Sequence, residues 1–147
     1  MQTSISVTGF RIVFNPTYPT IDSTSAENFT ISCMVENYPK GSNYKLYNIT
    51  LTSGNVNIAK FYCQGGVAYP NIDAANYTNR GASLTYVYNV TALGSSELTV
   101  TIPVSSLTYT DSKMYTCEMN FKTPDFFRHI TSSRSLTVTG NNILWNS

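Results

Sequence analysis

Apolar and polar side chains alternate along two segments of the chain. In residues 115–121 every second position is apolar, and residues 29–35 follow the same rule. A period of two is typical of a half-buried β-strand, so each segment should turn one row of side chains into a core. The predicted inward residues are Phe29, Ile31, Cys33 and Val35 in the first strand and Tyr115, Cys117, Met119 and Phe121 in the second.

Shorter alternating segments predict further strands, with turn residues between them. Ser53-Gly54-Asn55 predicts a hairpin, and Pro103 should end its strand because proline cannot donate to a ladder. The predicted strands cover 10–14, 44–51, 56–63, 84–90, 98–102 and 136–138, with one more short strand and its loops within 64–81 and a loop over 123–133. The expected fold class is all-β.

Two places in the pattern leave the register open. In the segment 44–51, turning Leu46 inward also turns the polar Asn48 inward. The opposite parity, which begins with Tyr47, makes a more apolar face. Near the start of the chain the parity of the apolar positions changes at Gly9, which predicts either a bulge that carries an edge strand between sheets or a plain kink.

Composition limits the classes of protein that the chain can belong to. Its 147 residues suit one domain, expected over 1–140, with 141–147 as a linker. Only 12% of the residues are charged and the net charge is +1, so no basic surface for nucleic acid is expected. No apolar run approaches the roughly 20 residues that cross a bilayer, and the start of the chain lacks the pattern of a secretion signal.

The residues that carry catalysis and metal binding are sparse. The chain has one histidine, His129, and its carboxylates are scattered, so we expect neither an enzyme nor a metal site nor a cofactor. Three cysteines without C-x-x-C spacing suggest one disulfide and one odd thiol. That thiol, Cys63, is interpreted either as a small buried hydrophobe or as a partner in an intermolecular bridge.

Asp111, Tyr115 and Cys117, together with the upstream strand that carries Cys33, resemble the immunoglobulin superfamily. The resemblance implies a variable-type Greek-key sandwich of two antiparallel sheets, a Cys33–Cys117 disulfide, a tyrosine corner at Tyr115 and a salt bridge between Arg80 and Asp111. The core tryptophan of the family is absent, and Leu46 is the expected substitute. Domains with this combination are similar to the cnidarian allorecognition receptors of the Alr group, which implies homophilic binding between cells.

The function implied is extracellular recognition of another protein by a domain whose parent is anchored in a membrane. Four N-glycosylation sequons are expected to lie away from the binding surface or, for Asn48, to stay unoccupied, peripheral or turned inward. They are Asn28, Asn48, Asn76 and Asn89.

The binding surface is expected to combine an aromatic and basic loop with outward residues of neighbouring strands, because aromatic and arginine side chains dominate interface hot spots. Its predicted members are Phe126, Phe127, Arg128, His129, Glu118, Asn120, Lys122, Lys60 and Tyr62. Two alternatives stay open: a viral or microbial immunoglobulin-like protein that binds a host receptor, and a carbohydrate-binding sandwich.

Overall fold

The computed structural model describes residues 9–35, 44–89 and 93–140 as two packed antiparallel sheets. The strands are β1 (Phe10–Asn15), β2 (Asn28–Val35), β3 (Lys45–Ser53), β4 (Val56–Gln64), β5 (Val67–Ile72), β6 (Ser83–Val87), β7 (Glu97–Pro103), β8 (Met114–Lys122) and β9 (Phe127–Ser135). One sheet has the order β1-β2-β7-β6 and the other β5-β4-β3-β8-β9. The predicted all-β, immunoglobulin-like sandwich is therefore confirmed.

The inner faces of the two sheets are joined by a disulfide. Alternate residues of β2 and β8 are buried as their parity predicted. Cys33 and Cys117 lie on these inner rows and are bonded, with 5.7 Å between their Cα atoms and a sequence separation of 84. In a chain-entropy estimate, a loop of that length contributes about 4.5 kcal/mol to stability.

A bulge in β3 resolves the register conflict around Leu46. In the pairing of β3 with β8, Leu46 lies opposite Phe121 and Asn48 lies opposite Asn120, so Tyr47 is the extra residue between them. The extra residue changes the parity of the strand, because two residues of β3 oppose one of β8. Leu46 is consequently buried, as are the residues that follow Asn48 on the opposite parity.

The predicted loop over 123–133 and the predicted final strand over 136–138 were wrong. The turn is short, closed by a 2.8 Å hydrogen bond from the Thr123 backbone N–H to the Phe126 carbonyl. Strand β9 begins directly after it, at Phe127. The alternation was missed because β9 is an edge strand that is largely exposed, whereas the buried Leu136 and Val138 follow its end.

After β1 the chain contacts the segment that follows β9. Strand β1 pairs with β2, and beyond it Thr20 forms a parallel bridge with Thr139, which follows β9. Between Asn15 and Thr20 the chain therefore passes from its pairing with β2 to the segment that follows β9. The residues before Gly9, on which the predicted bulge depends, lie outside the described residues, as do 36–43, 90–92 and 141–147.

Between β5 and β6 the chain forms helix α1 (Ala75–Thr78), where only loops were expected. Its Tyr77 is buried, and the guanidinium of Arg80 lies 5.4 Å from the centre of that ring. Arg80 also donates to both carboxylate oxygens of Asp111, at 2.9 and 2.6 Å. The Tyr115 hydroxyl donates to the Asp111 carbonyl at 2.8 Å. The salt bridge and the tyrosine corner implied by the sequence are both present.

The environment of this cluster changes how its groups ionise. Burial raises the pKa of Tyr115 well above its ordinary value, so its hydroxyl remains a donor. Burial alone would lower the pKa of Arg80, but the hydrogen bonds and charge of Asp111 outweigh it and raise that pKa. At physiological pH Tyr115 is therefore neutral and Arg80 is charged.

Candidate functional site

The outward side of the five-stranded sheet, called here the outer face, carries most of the predicted binding residues. Outward residues of β8 alternate with its buried residues. Residues that pair directly across strands lie on the same face, so the pairing shows which residues of the neighbouring strands are also outward. One row crosses all five strands through the pairs that the register defines. Its members are Tyr69, Tyr62, Asn48, Asn120 and His129.

Side-chain hydrogen bonds order the centre of this row. The Asn120 amide donates to the Asn48 side-chain oxygen at 2.9 Å. The Asn120 oxygen lies 2.7 Å from Nδ1 of His129 and can only accept, so the proton of the imidazole is on Nδ1. Nε2 then faces Glu118 Oε1 at 3.5 Å, where an ion pair forms when the imidazole is protonated. The polar centre is thus linked across three strands.

An aromatic pair lies at the β4–β5 side of the outer face. The rings of Tyr62 and Tyr69 stack with centroids 5.0 Å apart and planes inclined by 21°. Their exposed fractions are 44% and 43%. Stacked rings present a flat apolar surface of fixed orientation, and binding to such a surface costs little side-chain entropy.

A second aromatic pair lies at the end of the sheet where β8 ends and β9 begins. Tyr47, the extra residue of the β3 bulge, stacks on Phe127 with centroids 5.4 Å apart. The ammonium of Lys122 lies 5.8 Å from the centre of the Phe127 ring, and that of Lys45 lies 5.8 Å from the centre of the Tyr47 ring. Phe127 is 72% exposed. These four residues, Lys45, Tyr47, Phe127 and Lys122, are called the lysine–aromatic row.

The structure divides the predicted binding residues between two faces. Phe127 pairs with Lys122 and His129 pairs with Asn120, so both lie on the outer face. Arg128 pairs with the inward Phe121 and therefore lies on the opposite side of β9. Phe126 is exposed on the turn.

The remaining predicted residues of the surface come together on the outer face. Glu118 and Lys60 both pair with Thr50 and belong to one row, next to the row of Tyr62. Lys60 also lies 3.8 Å from Asp73.

Three residues of the outer face were missed by the sequence prediction. Tyr69 lies on a strand whose position was only bounded within 64–81, and it is found from its register opposite Tyr62. Tyr47 and Lys45 were missed because the bulge was not foreseen. An aromatic residue beside an unresolved parity conflict was the available signal for Tyr47.

The sequons are distributed unevenly around the sandwich. Asn28 is exposed at the start of β2 in the four-stranded sheet, Asn76 is exposed on α1, and Asn89 is exposed just after β6. All three lie outside the strands that form the outer face. Asn48 is different, because it is half-buried at the centre of the outer face. A peripheral or inward position for Asn48 does not match this placement, and the remaining alternative, an unoccupied sequon, stays a prediction.

Cys63 is a free thiol buried on β4. Its burial raises its pKa to about 11, against a smaller opposing effect of its hydrogen bond with Tyr88. This placement matches the interpretation of Cys63 as a small buried hydrophobe.

The described residues offer few ionisable groups for other chemistry. Among them there is no cluster of three or more histidine, cysteine, aspartate or glutamate side chains that could hold a metal ion. Within the same part of the chain, no helix is long and apolar enough to cross a membrane.

No protein-family model matches the chain, and no curated protein matches it either. The likeness to the immunoglobulin superfamily is therefore carried by the fold and by the motif around Cys117.

Proposed function

We propose that this chain is an extracellular recognition domain that binds another protein through the outer face of its five-stranded sheet. The observation that supports this most strongly is the combination of exposed aromatic pairs at two borders of the face with an ordered polar row between them. Aromatic side chains are enriched at binding hot spots, and exposed apolar surface bounded by polar residues is typical of interfaces.

The location outside the cell is part of the proposal. A disulfide that joins two sheets is stable in an oxidising compartment and is rare in the cytosol. Glycans at Asn28, Asn76 and Asn89 would cover surfaces other than the outer face. We propose that the parent protein is anchored in a membrane and presents this face to a partner, without catalysis.

The partner is proposed to be a different protein rather than a second copy. The resemblance to allorecognition receptors implied homophilic binding, but the outer face carries three lysines, Lys45, Lys60 and Lys122, against Glu118, and of the three lysines Lys60 has Asp73 at 3.8 Å. Two such faces would bring like charges together, which costs free energy. A receptor on another cell, or a host receptor bound by a viral or microbial protein, satisfies the same geometry.

Carbohydrate binding is the second candidate function. The stacked pair Tyr62 and Tyr69 supports it, because exposed tyrosine rings can pack against sugar rings. A glycan array that gives binding lost in Tyr62→Ala, with no protein ligand found, would favour this candidate.

The test of the main proposal is a binding screen of the tetramerised domain against extracellular proteins, including the domain itself. For the ligand found, we expect Phe127→Ala and Tyr62→Ala each to weaken binding at least tenfold. The matched control is Val87→Ala, an apolar residue on β6 of the other sheet whose exposed fraction of 47% is close to the 44% of Tyr62. Loss of binding in Val87→Ala with retention in the other two variants would contradict the proposal.

A further inference from the structure

The lysine–aromatic row contains two lysines at directly paired positions of neighbouring strands. Lys45 and Lys122 are directly opposite one another in the pairing of β3 with β8. Their Cα atoms are therefore about 5 Å apart, and like charges at such a pair are destabilising. Within the described residues, neither ammonium has a carboxylate at salt-bridge distance.

The fold offers these two lysines only weak compensation. Each ammonium lies 5.8 Å from the centre of an aromatic ring, a contact that holds the charge over the ring without neutralising it. Glu118 lies 3.5 Å from Nε2 of His129 and is not within salt-bridge distance of either lysine. The unneutralised pair is therefore an electrostatic cost that a ligand can remove.

The two rings beside the lysines give the row a shape as well as a charge. Tyr47 and Phe127 are stacked, and each ammonium lies over one of the two rings. A carboxylate that neutralises a lysine here also places its neighbouring apolar atoms on the exposed ring of Phe127. Both contacts are made without reorganising the row, which favours affinity.

We propose that the lysine–aromatic row binds a pair of carboxylate side chains on an acidic surface of a partner protein. The inference rests on the proposed function and adds the chemistry of the partner. The charge of the whole chain is only +1, so the excess of lysines on the outer face is a local feature that selects acidic partners.

The probe for this inference is a short synthetic peptide with two glutamates on each side of a tyrosine. Its control is the same peptide with glutamine at the four acidic positions. We expect the acidic peptide to shift the backbone amide resonances of Lys45, Tyr47, Lys122 and Phe127 in the 15N-labelled domain at low ionic strength, and the glutamine peptide to shift none of them. Rising salt should weaken the binding.

Charge-removing variants make the test specific. Lys45→Gln and Lys122→Gln should each weaken peptide binding at least fivefold. Lys113→Gln is the matched control, because Lys113 also lies 5.8 Å from an aromatic ring, that of Tyr115, at the opposite end of β8. It should change the dissociation constant less than twofold. An equal loss in Lys113→Gln, or equal binding of the glutamine peptide, would overturn the inference.

A stability measurement provides a second, independent readout. Lys122→Glu places a carboxylate opposite Lys45 and converts repulsion into attraction, so it should raise the melting temperature while abolishing peptide binding. A lowered melting temperature would show that the lysine pair is not an unneutralised cost and would contradict the inference.

Three further outcomes separate the inference from the proposed function. Resonance shifts at the row with sialyllactose alone would replace the acidic protein with an anionic glycan. Self-association through the row in sedimentation would replace it with a second copy. If the peptide does not bind while Phe127→Ala still weakens binding to a ligand from the screen, the inference fails and the proposed function stands.

Discussion

Removal of the Arg80 side chain should destabilise the domain more than removal of any other charged side chain among the described residues that is exposed or half-exposed. The Asp111 side chain is 5% exposed and that of Arg80 is 21% exposed. Arg80→Ala leaves the buried carboxylate with the backbone N–H of Thr108, at 2.9 Å, as its remaining described donor. Breaking a buried ion pair from one side costs roughly 3–5 kcal/mol, and the partial exposure of Arg80 places this pair at about 3 kcal/mol.

A double-mutant cycle with Asp111→Ala isolates the interaction itself. Two charge-assisted hydrogen bonds predict a coupling energy of about 2 kcal/mol, measured by urea unfolding followed by circular dichroism. Arg80→Lys should recover about half of the loss, because an ammonium cannot donate to both oxygens in the planar geometry of a guanidinium.

The pair Lys60 and Asp73 provides the control for this cycle. Its charged atoms are 3.8 Å apart and the Lys60 side chain is 41% exposed, so its coupling should be about 0–1 kcal/mol. A coupling below about 0.5 kcal/mol between Arg80 and Asp111, or one no larger than that of the control pair, would refute the reasoning.

Three further predictions concern single side chains. Phe127→Ala should weaken binding of the ligand from the screen by about 1.4 kcal/mol, a tenfold change, whereas Arg128→Ala, on the other side of β9, should leave the dissociation constant within twofold. Cys63 should react with iodoacetamide at pH 8 at least about tenfold more slowly in the folded domain than in urea, because its raised pKa of about 11 lowers the thiolate fraction and the thiol is buried. Tyr115→Phe should lower the free energy of unfolding by about 1–2 kcal/mol, because it leaves the Asp111 carbonyl without the tyrosine donor. An unchanged free energy of unfolding would show that the tyrosine corner does not stabilise the domain.

Parity predicted the inner faces of β2 and β8 because both strands lie inside their sheets and bury one continuous side. The same rule failed at β9, which is an edge strand and carries no apolar period where it begins. It also left the position of Tyr47 open, because the parity conflict around Leu46 does not by itself show that a bulge resolves it. Edges and bulges depend on neighbours that are distant in the chain, so a local pattern does not contain them.

In the candidate site, too, some residues could be predicted from a local pattern and others depend on strand pairing. Glu118, Asn120 and Lys122 could be assigned to the outer face from the pattern of one strand. Lys45 and Tyr69 could not, because their place on that face follows from pairing with β8 and β4. The charge pair of the lysine–aromatic row is a property of register, and register is fixed by the packing of the whole sheet.

The most direct measurement of the central claim is the glycan occupancy of the four sequons in the domain secreted from a eukaryotic cell. Asn48 lies at the centre of the outer face, between Tyr62 and Asn120, whereas the other three sequons lie elsewhere. A binding face has to stay bare, so peptide mapping by mass spectrometry should find Asn28, Asn76 and Asn89 occupied and Asn48 unmodified. A fully occupied Asn48 would cover the outer face with a glycan and would contradict its use as the binding surface.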